Sequence, residues 1–166
     1  MNATLASLIM VCTLLVVFAS NSFAQENRIY QLSDNTNNQS VSRSSVTSYP
    51  EDLLYDLAPS VYIANNQIVE VTDGQAPKVI KLKDINSFNI LSTRNDLFKR
   101  VEMITINIQS ASELARPFNV DNIRGFGSLK YIYLKCEASV SEAQIRNFIQ
   151  QADPEISIFY KIFNRS

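Results

Sequence analysis

The chain has 166 residues, 46% of them hydrophobic, with 15 Lys and Arg against 16 Asp and Glu. That is enough for one modest domain with a real core, and the balanced charge, without a long run of either sign, excludes nucleic-acid binding by bulk charge. There is no His, so the commonest general base, the usual partner of a Ser or Cys nucleophile and the commonest transition-metal ligand are all missing.

Residues 4–19 (TLASLIMVCTLLVVFA) are apolar and uncharged and lead into Ser20, Asn21, Ser22, Phe23 and Ala24. The stretch resembles a secretory signal peptide over residues 1–24: Ser22 and Ala24 take the two small-residue positions, and cleavage after Ala24 leaves Gln25 first. The ending Phe23-Ala24-Gln25 resembles signal-peptide ends of Bacteroidetes-type bacteria. The other reading is an uncleaved membrane anchor, for which the run is at the short end. Export places the protein in the periplasm, the cell envelope or the medium, with no membrane contact after cleavage. Cys12 leaves with the signal, so Cys136 remains alone and no internal disulfide forms. Lying two residues after Leu134, Cys136 reads as a small buried hydrophobe rather than a reactive thiol.

Residues 25–49 are rich in Gln, Asn and Ser and read as a flexible linker, because they offer little apolar surface to offset ordering entropy. Asn38-Gln39-Ser40 and Asn164-Arg165-Ser166 match the glycosylation sequon, which matters only in a eukaryotic host. A single domain then occupies residues 50–166. Leu53, Leu54 and Leu57 predict a short helix between Pro50 and Pro59. Val61–Ala64 and 67–71 predict a hairpin turned by Asn65 and Asn66, and residues 78–83 alternate as a strand.

The pairs Ile80/Leu82, Ile104/Ile106, Ile132/Leu134 and Ile158/Tyr160 recur at spacings of 24, 28 and 26 residues. A period of that size marks stacked units of strand and return leg. Ile123, Phe126, Leu129, Ile132 and Leu134, with Phe98, Val101, Ile104 and Ile106, resemble the leucine-rich repeat family over about residues 77–162. The resemblance implies a short stack of β-strands with irregular or helical return segments, preceded by the hairpin, in the α/β or α+β class. The family's bend residue, Asn or Cys, is replaced by Gln109 and Glu137. The last return leg reads as a helix from Ser141 with Gln144 completing a capping box, Ile145, Phe148, Ile149 and Ala152 on one face, and Asp153-Pro154 as its stop. An ordinary α+β domain with similarly spaced strands is the alternative.

Alternation divides the sheet into two faces. Ile104, Ile106, Ile132, Leu134, Cys136, Ile158, Tyr160 and Ile162 point to the core. Thr105, Asn107, Tyr131, Tyr133, Lys135, Phe159, Lys161 and Phe163 point away from it. Tyr131, Tyr133, Lys135, Phe159, Lys161 and Phe163 form the candidate binding face, since the resemblance implies that the strand face engages partners and Tyr suits interfaces. The same aromatics also suit cross-strand pairing, or a place beneath the N-terminal hairpin. No catalytic, cofactor or metal residues are assigned. Glu102, Glu113, Asp121, Glu137 and Glu142 form no glycosidase or calcium-loop spacing, and Gly125-Phe126-Gly127 is too short for a nucleotide loop. The leading expectation is an exported, non-catalytic module binding a protein or glycan. The alternatives are a small exported hydrolase using carboxylates and a self-associating envelope protein.

Overall fold

The computed structural model describes residues 27–32, 50–55, 58–72 and 74–163. The apolar N-terminal stretch with its cleavage site, Leu57 and both sequons lie outside them. The strands are β1 (Ile29–Leu32), β2 (Ser60–Ala64), β3 (Gln67–Val71), β4 (Val79–Leu82), β5 (Met103–Ile108), β6 (Phe118–Asn119), β7 (Tyr131–Cys136), β8 (Ile149–Gln150) and β9 (Ser157–Ile162). The helices are α1 (Glu51–Leu54) and α2 (Glu142–Phe148), with 3₁₀ segments at Ile85–Ser92, Asp96–Phe98, Ala111–Ala115 and Val120–Asn122. Seven strands form one mixed α/β sheet in the order β1-β9-β7-β5-β4-β2-β3, and only the β2/β3 pair is antiparallel.

The register follows the period of the sequence. Val61, Ile80, Ile104, Ile132, Ile158 and Ile29 stand side by side across the sheet, and so do Ile63, Leu82, Ile106, Leu134 and Tyr160. Both rows face the main core, where the return legs lay Leu91, Phe98, Leu114, Phe118, Ile145 and Phe148 over them. Each such side chain stabilises the fold by about 1.5–3 kcal/mol on burial. Backbone amides pin both ends of the rows. Met103 donates to the carbonyl of Lys78, Tyr131 to that of Glu102 and Ser157 to that of Lys130, while Glu137 and Phe163 donate to Ile108 and Cys136 beyond the strand ends.

Local chemistry explains the turns. Asn65 and Asn66 take φ of 50° and 60° and close the β2/β3 hairpin as their tolerance of that region predicts. Ser141 accepts from the amide of Gln144, whose side chain accepts from the amide of Ser141, so the capping box at the start of α2 is complete. Gly125 sits at φ 87°, which supports the tight turn before Leu129.

Three expectations need correction. Ile29–Leu32, inside the stretch read as linker, form β1, which pairs parallel with β9; composition alone missed it because four residues are too few to change the average of a polar segment. Helix α1 stops at Leu54. Helix α2 ends at Phe148, because Ile149 leaves the helix to pair with Phe118 across β6/β8, and Gln151 then takes φ 54°.

Candidate functional site

The sheet surface turned away from the return legs has two halves. At the N-terminal ends of the strands, Leu53 and Leu54 of α1 pack with Val79, Met103, Tyr133 and Phe159 in a second apolar cluster, with Tyr30, Leu32, Ala58 and Tyr131 at its margin. Pro50 accepts from the amides of Leu53 and Leu54, closing the single turn that sets those side chains onto the sheet. Tyr30 stacks on Phe159 at 5.2 Å, and Tyr131 meets the same ring at 6.0 Å.

The structure therefore divides the six candidate residues. They share one face, since Tyr131, Tyr133 and Lys135 stand opposite Ser157, Phe159 and Lys161, but Tyr133 is 4% exposed and Phe159 2%. These two are packing residues beneath α1, with the Tyr30 ring of β1 stacked on Phe159, and Tyr131 is half-buried beside them. Lys135 and Lys161 are half-buried and Phe163 is exposed. The cover comes from α1, helped by Tyr30 at the sheet edge, and not from the hairpin that the sequence suggests.

The open half lies at the C-terminal ends of the strands, and it extends past the expected residues. Lys81 stands between Tyr62 and Thr105 in the register, and Lys83 and Asn107 lie one residue beyond the paired Leu82 and Ile106. Next come Lys135, opposite Asn107, and Lys161, opposite Lys135. The Lys81 and Lys83 ammonium groups lie 5.1 and 5.2 Å from the Tyr62 ring centre, and that of Lys161 lies 5.0 Å from the Phe163 ring. The lysine ammonium groups thus lie over aromatic faces. Tyr62, Lys81, Lys83 and Asn107 were missed as site residues, although the 24-residue spacing from Ile80 to Ile104 already placed β4 beside β5.

A carboxylate shares this face: Glu70 stands opposite Tyr62 in the register, in the same row as Lys81. Glu102 bridges Lys130 at 2.8 Å and Lys78 at 3.8 Å, and the hydrogen bond from Lys130 holds it below the ordinary carboxylate range. Glu113 accepts from the amide of Gln109 and Glu142 pairs with Arg146. Asp121, Asp153 and Glu155 line a shallow depression of about 390 Å³ on the return-leg side. There Asp153 accepts from the amide of Glu155, and the Arg124 guanidinium binds the carbonyls of Asp121 and Ile123. Among the described residues no three of His, Cys, Asp and Glu come together as a metal site. Burial pushes the Cys136 thiol up to about 11 and that of the Tyr160 hydroxyl above its usual value, Tyr160 donating to Gln31 Oε1 at 3.0 Å.

No helix among the described residues is long and apolar enough to cross a membrane. Compared with known protein families, characterised proteins and solved structures, the chain matches none.

Proposed function

We propose that the protein is an exported, non-catalytic interaction module that binds a negatively charged protein or glycan through the open half of its strand face. The contact residues are Lys81, Lys83, Lys135, Lys161 and Phe163, with Tyr62 and Asn107 among them. One observation carries this reading: Lys135 and Lys161 are held directly opposite each other on adjoining parallel strands. Strands lie about 4.8 Å apart, so an anionic ligand lying across the strand ends would meet both ammonium groups at once.

The finer architecture belongs to the same proposal. The strand-by-strand progression β2, β4, β5, β7, β9 with return legs on one side supports a short leucine-rich-repeat-like stack, and its open face is the one such a stack offers to partners. The uncharged run at residues 4–19, followed by Ser22 and Ala24, supports export to the periplasm, envelope or medium.

The test is capture from envelope and medium extracts on the chain from Gln25 onward, beside a variant with Lys135→Glu and Lys161→Glu of matching circular dichroism. The reading predicts an acidic partner that high salt releases and the variant fails to hold. Equal retention by both baits would refute it.

A further inference from the structure

The return legs, on the other side of the sheet from the lysine strip, enclose a cleft of about 470 Å³. It opens between two successive legs. One is the 3₁₀ segment Ile85–Ser92, which contributes Phe88, Asn89 and Ser92, and the other supplies Arg116 and Arg124 from either end of the stretch around β6. Its volume falls within the range of small-molecule sites, about 300–1,000 Å³. The rings of Phe88 and Phe118, 4.8 Å apart, form an apolar wall.

The walls are fixed by their own bonds. The Arg124 amide donates to the carbonyl of Leu91 at 2.8 Å, which joins one leg to the other. Asn119 Oδ1 accepts from the amide of Asp121 at 2.9 Å, and the Ser92 hydroxyl donates to the carbonyl of Asn89 at 2.6 Å.

Charge specifies the occupant. Arg116 and Arg124 both line the cleft and no acid does, whereas Asp121, Asp153 and Glu155 line the adjoining depression. Each guanidinium is held by neutral acceptors through Nη1: Arg116 by Asn86 Oδ1 at 3.1 Å, and Arg124 by the carbonyls of Asp121 and Ile123. Among the described residues nothing engages their Nε and Nη2 groups, so both forks keep donors for an anion. A guanidinium fork matches the paired oxygens of a carboxylate or phosphate. The exposed carboxamides of Asn89 and Asn122 stand at the same cleft, and an amide both donates and accepts, as a sugar hydroxyl requires.

We propose that this cleft binds a small polyhydroxylated anion, a sugar acid or a sugar phosphate. Arg116 and Arg124 take its carboxylate or phosphate, Asn89 and Asn122 its hydroxyls, and the half-buried Phe88 ring its C–H face. The site lies across the sheet from Lys135 and Lys161, so it stands or falls apart from the strand-face reading.

The experiment is an amide NMR titration of the chain from Gln25 onward, which keeps every described residue. The probes are glucuronate and glucose-6-phosphate, beside glucose and inorganic phosphate. The proposal predicts that at least one of the two acids shifts the side-chain amides of Asn89 and Asn122 and the backbone amides of Ser92 and Arg124, leaving those of Lys135 and Lys161 in place. Glucose and inorganic phosphate should each bind about tenfold or more weakly than that acid. Arg116→Gln and Arg124→Gln, each of matching circular dichroism, should weaken it by about tenfold. The mapping itself uses the wild-type chain and needs no variant. No shift with either acid at about 10 mM, shifts confined to the strand ends, or unchanged binding by both folded variants would overturn the proposal. So would inorganic phosphate binding as tightly as the acids, since the cleft would then read charge alone.

Discussion

Cys136 illustrates how far a single residue can be reasoned. It is wholly buried at the end of β7, and removal from water raises its thiol to about 11. A thiol reagent at pH 8 should therefore leave Cys136 unmodified in the native chain from Gln25 onward and label it once urea unfolds the chain; rapid native labelling would contradict the packing. Glu102 supplies a pH-dependent counterpart. Lys130 lowers its folded value below 4.5, so its contribution to stability is present above that value and is lost as the pH falls through the folded one. Glu102→Gln should cost about 0.5–1 kcal/mol at neutral pH, and the difference should vanish in acid; urea titrations at both pH values check it. The residue scale also shows where sequence reading stops. Alternation assigned Tyr133 and Phe159 to the correct face, but no pattern within β7 or β9 reports that α1 lies over them.

At the scale of elements, the short helix α1 has a larger effect than its length suggests. Its single turn places Leu53 and Leu54 on Val79, Met103, Tyr133 and Phe159 and so decides which half of the sheet stays open. Leu54→Ala should destabilise the fold by about 2 kcal/mol, at the low end for a buried leucine because the site lies near the surface. It should also make Tyr133 accessible to nitration; unchanged stability with Tyr133 still protected would show that α1 is not the cover. The hairpin turn at Asn65-Asn66, the capping box of α2 and the strands around Ile104 and Ile132 were legible because each rests on neighbours in the sequence. β1 was not legible, since its partners Phe159 and Tyr160 lie at the far end of the chain. The end of α2 was misjudged for a similar reason: Ile149 keeps a helical apolar position but is taken by Phe118.

At the scale of the whole molecule, an even charge balance hides an uneven distribution. Glu102 and Glu142 are taken up in ion pairs elsewhere, while Lys81, Lys83, Lys135 and Lys161 gather along the open strand ends with Glu70 at one side. The recurrence of strand pairs predicted that successive strands stack side by side, as β4, β5, β7 and β9 do. The basic strip needed the register as well, since its lysines come from β4, β7 and β9 and are far apart in sequence. Mutating Tyr131 and Tyr133 together is accordingly a poor probe of binding, because it would remove a buried side chain along with an accessible one. Lys135 and Lys161 give a cleaner test. The most direct measurement compares capture of extract proteins by the wild-type chain and by the folded Lys135→Glu, Lys161→Glu chain at low and high salt. An acidic partner held at low salt by the wild type alone is the predicted result, and a partner retained equally by both chains, or indifferent to salt, would contradict the account.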